Sequence, residues 1–157
     1  VTSGPSMTKD ETSKYSDLRD DGISRLFTFP MEVKSVITSP SPGLNLRKKG
    51  IYQISGIAWS GSGKIKKVEL SADGGKSWAE AQLDEHVLSK SLTRFRSAWM
   101  WDGSNSSLMS RAIDEKGNVQ PRRNAWLEGK AVNTFYHYNA IQSWAISSGG
   151  EVSNVYL

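Results

Sequence analysis

The segment IYQISGIAWSGSGKIKKVELSADGGKSW, residues 51–78, constrains the fold more than any other. It holds two alternating runs. In the first, Ile51, Gln53, Ser55, Ile57 and Trp59 oppose Tyr52, Ile54, Gly56 and Ala58; the second spans residues 65–70. Period-two patterning with β-branched and aromatic residues specifies strands with one buried face. Ser60-Gly61-Ser62-Gly63 is too flexible to continue either run and reads as a loop. Asp73-Gly74-Gly75 supplies the positive φ angles of a tight hairpin, and Lys76-Ser77-Trp78 starts the return strand. Trp59 and Trp78 read as the apolar anchors that decide which face points inward, each burying roughly 150–250 Å².

The rest of the chain repeats this grammar. Residues 1–25 are polar and broken. Thr8 and Glu11 have capping-box spacing, but too few apolar residues are present for a separate core, so residues 1–26 read as an irregular N-terminal arm. LFTFPMEVKSVIT alternates through Met31, Val33, Ser35 and Ile37, and Pro30 confines it to an edge or first strand. AEAQL closes the hairpin, and residues 84–91 form a crossing loop. In LTRFRSAWMW, Arg94, Arg96, Ala98 and Met100 face opposite to Thr93, Phe95, Ser97, Trp99 and Trp101. SLMSRAI is the next strand, residues 126–130 are irregular, AIQSWAIS is the last strand, and residues 148–157 are a tail. About seven short strands, turn residues between them and no strong helix specify an all-β, immunoglobulin-like antiparallel sandwich.

Composition narrows the function. A chain of 157 residues suffices for one domain with a sizeable core plus an arm. It has no cysteine, which excludes disulfides, thiolate metal ligands and cysteine nucleophiles within it. A net charge of +4 without a dense Lys/Arg stripe argues against a nucleic-acid partner. No apolar run reaches the roughly 18 residues of a membrane helix, so no membrane partner is expected. The start carries neither an export signal nor an initiator methionine and reads as that of a processed or cut piece.

Nothing in the chain reads as catalytic. There is no G-x-S-x-G, H-E-x-x-H or phosphate-cradling loop. His86 and His137 each lack second and third ligands in their surroundings and read as non-metal residues. His137 stands in an aromatic cluster, FYHYN, of the kind that packs at interfaces. Asp73, Asp102 and Asp114 read as turn formers. Arg94, Arg96 and Arg111 fall on strands read as adjacent, where they form either an anion site or ordinary cross-strand and solvated cations.

Four motifs occur in order: GIAWSGSGKIKKVELSADGGKSWAEAQL, LTRFRSAWMWDG, SRAIDEKGNVQP and VNTFYHYNAIQSW. Together, over residues 27–144, they resemble the C-terminal dimerisation domain of the sulfite oxidase family of molybdenum enzymes. The last is most similar to the family's sulfane (sulfite) dehydrogenase branch, and DETSKYSDL in the arm looks like the end of that branch's molybdenum domain. The resemblance implies an E-set sandwich over residues 27–147 that pairs subunits into a homodimer, with residues 1–26 a remnant of an upstream molybdenum-cofactor domain. It implies molybdopterin in the parent enzyme but no cofactor in this chain, oxygen transfer from water to sulfur, electrons leaving to a cytochrome c subunit, and a periplasmic location. In the family this domain lends one arginine to an anionic substrate pocket; here Lys130, which keeps the charge but not the bidentate fork, stands near that place, with Arg122 and Arg123 as alternatives. The dimer contact is expected at Trp99, Trp101, Phe135, Tyr136 and His137. A different reading, a stand-alone immunoglobulin-like module recognising carbohydrate or protein, rests on the six tryptophans without a catalytic constellation.

Overall fold

A computed structural model describes residues 30–128 and 137–157. Within them the chain forms two antiparallel sheets. One holds β1 (Lys34–Ser39), β2 (Gly50–Trp59), β6 (Thr93–Trp101) and β5 (Gln82–Leu83), in the order β1-β2-β6-β5. The other holds β3 (Ile65–Ser71), β4 (Ala79–Glu80), β7 (Ser106–Asp114), β8 (Ser143–Ile146) and β9 (Val152–Val155), in the order β4-β3-β7-β8-β9. Among the described residues a five-residue helix, α1 (Arg123–Leu127), lies between β7 and β8 in the sequence. The fold is the immunoglobulin-like sandwich its strand spacing specifies.

The inner faces pack through alternating residues. Ile54 and Ala58 of β2, Val68 and Leu70 of β3, Phe95 and Trp101 of β6, and Leu108 and Ala112 of β7 are buried together. One close approach decides the register: Gly56 pairs with Phe95, and a Cβ on Gly56 would lie 2.2 Å from the Phe95 ring and 2.3 Å from the Val36 carbonyl. Only glycine lets the ring cross there. The inward face of β2 is therefore the small one. Trp59 lies on the opposite face and is half-buried, as is Trp78, so neither is the core anchor expected of it. Phe95 and Trp101 take that role.

Other sequence expectations need correction for similar reasons. The Asp73-Gly74-Gly75 turn has the expected positive φ at Gly74 (75°) and Gly75 (84°). The return strand, however, begins at Ala79 and lasts two residues. Past buried Ala81 the chain leaves β3 and pairs Gln82 and Leu83 with Arg96 and Phe95 of the other sheet. AEAQL thus serves both sheets, a switch that alternation alone does not reveal. Arg94 and Arg96 stand on β6 and Arg111 on β7, in different sheets, so they are not on adjacent strands. Residues 152–155, in the stretch read as a tail, pair with β8 as the ninth strand.

The two sheets are also joined by polar groups. β8 pairs with β7 only as far as Met109, so the same edge of β7 is left open beyond it. Gln120 closes that gap. Its backbone N–H donates to the Ala112 carbonyl (3.0 Å), and its side-chain oxygen accepts from the Ala112 N–H (3.1 Å). The same amide reaches the other sheet: Oε1 accepts the Ser35 N–H (2.8 Å) and Nε2 donates to the Ser35 carbonyl (3.2 Å). At 1% exposure, Gln120 acts as a peptide group inserted between two strand edges. Nearby, Asp114 is fully buried and accepts from Ser60 Oγ, Asn118 Nδ2 and the Lys116 and Asn118 N–H groups, tying the end of β2 to the end of β7.

Two outcomes follow from these links. Gln120→Leu strands the Ser35 and Ala112 N–H groups without partners and lowers stability by about 2–4 kcal/mol in urea unfolding; a loss under about 1 kcal/mol would contradict the bridging role. Burial alone would raise the Asp114 pKa, but its hydrogen bonds outweigh burial and hold it below the usual carboxylate value. A depressed folded pKa contributes stability that is present above the unfolded value of about 3.9 and is lost as pH falls through the folded one. The chain therefore loses stability on acidification below about pH 4, and Asp114→Asn flattens that limb of the pH–stability curve.

Candidate functional site

The edge strand β1 and the segment after β7 meet at one end of the sandwich. From Val33, just before β1, to Ile37 within it, the backbone of every second residue is held by a side chain. Asn139 Nδ2 donates to the Val33 carbonyl (3.1 Å), Gln120 brackets Ser35, and Trp144 Nε1 donates to the Ile37 carbonyl (3.0 Å). These partners come from residues 120–144, so the segment that carries the expected site residues is bound to β1 on both flanks. Pro121 adds a backbone anchor, its carbonyl accepting from the Ile141 N–H at 2.9 Å.

Around this frame lies a small polar and aromatic cluster. Trp126 of α1 is buried and meets Tyr138 edge-to-face, with ring centroids 4.7 Å apart. Lys34 donates to the Tyr138 carbonyl and lies 5.2 Å from its ring centroid. Burial lowers the Lys34 pKa. Burial also raises that of the Tyr138 phenol, partly offset by the nearby charge of Arg123. An open cavity of about 490 Å³ lies between β1 and α1, lined by Glu32, Val33, Asn118, Trp126, Glu128 and Asn139. Asn139 is 7% exposed, and its side-chain oxygen is a buried acceptor with no hydrogen-bond donor among the described residues.

Of the cations expected to face the substrate, Arg122 and Arg123 lie within the described residues. Arg122 turns back to the β3–β4 turn, where its guanidinium donates to the Gly75 carbonyl. Arg123 lies 5.2 Å over the Tyr156 ring. Adjacent guanidinium groups repel, and each has a separate acceptor or π face to satisfy. Lys130 lies outside the described residues, as do Phe135 and Tyr136. His137 is half-buried with φ 57° and lines a small recess with Lys34, Trp59 and Tyr138.

The expected dimer residues divide. Trp101 is 3% exposed, part of the core, with its indole N–H on the Ser104 carbonyl (2.8 Å), so packing inside the sandwich occupies it fully. Trp99 is partly buried against that core, and Tyr52 stands between the two rings at 6.5 and 6.2 Å. Arg111 pairs with Glu69 (2.6 Å) beneath the Trp78 ring, and Arg96 sits 3.4 Å from Asp84. Among the three arginines weighed as an anion site, these two are thus paired within their own sheets. The turn-forming aspartates behave as read: Asp73 accepts from Ser71, Lys76 and Ser77, and Asp102 from Ser104.

Sequence reasoning missed Gln120, Asn139 and Lys34. Gln120 alone had a signal, a long uncharged amide before a proline at the end of a strand–turn unit. Among the described residues no three His, Cys, Asp or Glu side chains cluster as metal ligands, and the sequence has no cysteine. The donors present do not fit a molybdenum centre. No helix of the described residues is long and apolar enough to cross a membrane.

Known proteins are similar to this chain in sequence and fold. Residues 25–144 match the Mo-co oxidoreductase dimerisation domain. Mitochondrial sulfite oxidase of Mus musculus is 31% identical over 103 residues, covering 58% of this chain and 18% of that protein. Sulfite oxidase of Arabidopsis thaliana is 31% identical over 118 residues, covering 67% of this chain and 30% of that protein. The crystal structure of the sulfane dehydrogenase SoxCD from Paracoccus pantotrophus superposes with a TM-score of 0.91 at 49% identity, over 96% of this chain and 39% of that one. The chain thus spans well under half the length of each of these relatives, and it belongs to the family of Mo-co oxidoreductase dimerisation domains.

Proposed function

We propose that this chain is the subunit-pairing part of a molybdenum-dependent sulfite or sulfane dehydrogenase, whose reaction centre lies in a region beyond these residues. The observation that carries the reading is the 49% identity to the Paracoccus pantotrophus sulfane dehydrogenase across 96% of the chain. The absence of cysteine in the sequence fits it, because a domain that only pairs subunits needs no thiolate metal ligand. On this reading the parent oxidises an inorganic sulfur compound, passes electrons to a cytochrome c subunit and works in the periplasm. Residues 1–26 then belong to the end of the molybdenum-cofactor domain.

Assembly is the activity left to the sandwich, with one cation lent to the anionic substrate. Arg122 and Arg123 spend their guanidinium groups on Gly75 and Tyr156. That leaves Lys130 as the cation proposed for the pocket. An ammonium keeps the charge but not the bidentate fork of an arginine, so it attracts an oxyanion without fixing its orientation.

Two measurements test these statements. Sedimentation equilibrium of the chain gives twice the chain mass in the micromolar range, and a strict monomer to high micromolar concentration removes the pairing role. In the full-length dehydrogenase, Lys130→Ala raises the KM for the anionic sulfur substrate several-fold while changing kcat less. An unchanged KM takes Lys130 out of the pocket.

A further inference from the structure

The cavity between β1 and α1 is an acidic spot in a chain whose net charge is +4. Glu32, just before β1, and Glu128, at the end of α1, both line it. Neither makes an ion pair among the described residues, and no lysine or arginine among those residues lines the cavity. Lys34, close to Glu32 in sequence, is spent on the Tyr138 carbonyl. Asn139 is the third polar group in the wall. It is 7% exposed, its Nδ2 is used by the Val33 carbonyl, and its Oδ1 is a buried acceptor without a donor among the described residues. An unmet buried acceptor is costly, so a donor that enters here is favoured.

These acceptors specify the kind of group that fits. A calcium ion takes about six to eight oxygen ligands, whereas no three His, Cys, Asp or Glu side chains gather among the described residues. Trp126 and Pro121 instead give the cavity an apolar wall, suited to the aliphatic stem of a long cationic side chain. Its volume of about 490 Å³ is that of a small-molecule pocket. The acceptors are two carboxylates and an amide oxygen, carried by the approach to β1, by the end of α1 and by the segment before β8. A guanidinium holds its N–H donors in a planar fork and reaches several separate acceptors at once, whereas an ammonium is a compact point charge. Pro30 and Met31 form part of the rim, so the polypeptide on the N-terminal side reaches the sandwich beside this cavity.

We infer that this cavity is a socket for one arginine side chain, carried by the part of the parent polypeptide that precedes these 157 residues. The stem packs on Trp126, and the guanidinium lies among Glu32, Glu128 and Asn139 Oδ1. The inference rests on the proposed function only for the existence of a longer parent. It adds which surface of the sandwich meets the rest of that parent, and by what chemistry.

Titration of the isotope-labelled chain with N-acetyl-arginine amide tests the socket by NMR. The probe is expected to shift the Asn139 side-chain amide and the Trp126 indole signals, and N-acetyl-lysine amide to bind several-fold more weakly. Glu32→Gln/Glu128→Gln, at two exposed positions, is expected to weaken the probe on the order of tenfold while the melting temperature stays near wild type. Glu80→Gln, an exposed carboxylate elsewhere, leaves probe binding unchanged, and added salt weakens it. A chain whose signals do not move, or a double variant that binds the probe as wild type does, overturns the socket and leaves the pairing role untouched. The full-length parent tests the occupant. There the socket is already filled, so ligand-detected NMR shows no probe binding that the double variant removes. A parent that binds the probe as the chain does, and loses it with the same two substitutions, overturns the assignment to the preceding polypeptide.

Discussion

The arrangement of this domain depends on how the free edge of β1 is satisfied. An edge strand exposes unpaired backbone groups that must be bonded or protected. Here Asn139, Gln120 and Trp144 bond the backbone at Val33, Ser35 and Ile37, one side chain for each residue facing that edge. A row of side chains thus substitutes for a strand. Gln120 does so on both sides, because a primary amide presents the donor and acceptor of a peptide group and bridges β1 to Ala112 of β7. The Asn139 and Gln120 bonds are buried, where a missing partner costs more than the bond contributes in water, and the Trp144 bond is partly buried.

This edge links fold to function. The segment after β7 would otherwise be a long irregular connection, free to move relative to the sandwich. Anchored at Gln120, Pro121, Asn139 and Trp144, it holds α1 and Tyr138 against Lys34 and places the cavity between β1 and α1. Arg122 and Arg123 are held in the same way, but by contacts directed toward the domain's own turn and C-terminal strand.

The strands were legible wherever alternation ran for six or more residues. β2, β6 and β7 read directly, including the outward Arg94, Arg96 and Met100 of β6. What alternation does not encode is which face meets which neighbour. Trp59 is larger than Ala58, so size nominated it as the anchor, yet the space above β2 is filled from β6 by Phe95 over Gly56. The short β4 and β5 escaped because a strand of two residues has no period, and their division between two sheets is a property of the whole sandwich. The family motifs located the segment around the site, but the bonds that fix it join residues 85 to 107 positions apart and leave no local trace.

Covering β1's edge guards the chain against indiscriminate pairing. A bare edge recruits strands indiscriminately, because backbone hydrogen bonds carry no sequence preference, and ends in open-ended aggregation. Blocking β1 with Asn139, Gln120 and Trp144 therefore removes one such edge. The register that Gly56 and Phe95 impose keeps Ile51 and Met100 outward. A slip of one residue in β2 or β6 would turn those side chains inward and the core outward, so the packing that stabilises the sandwich also decides what its surface presents.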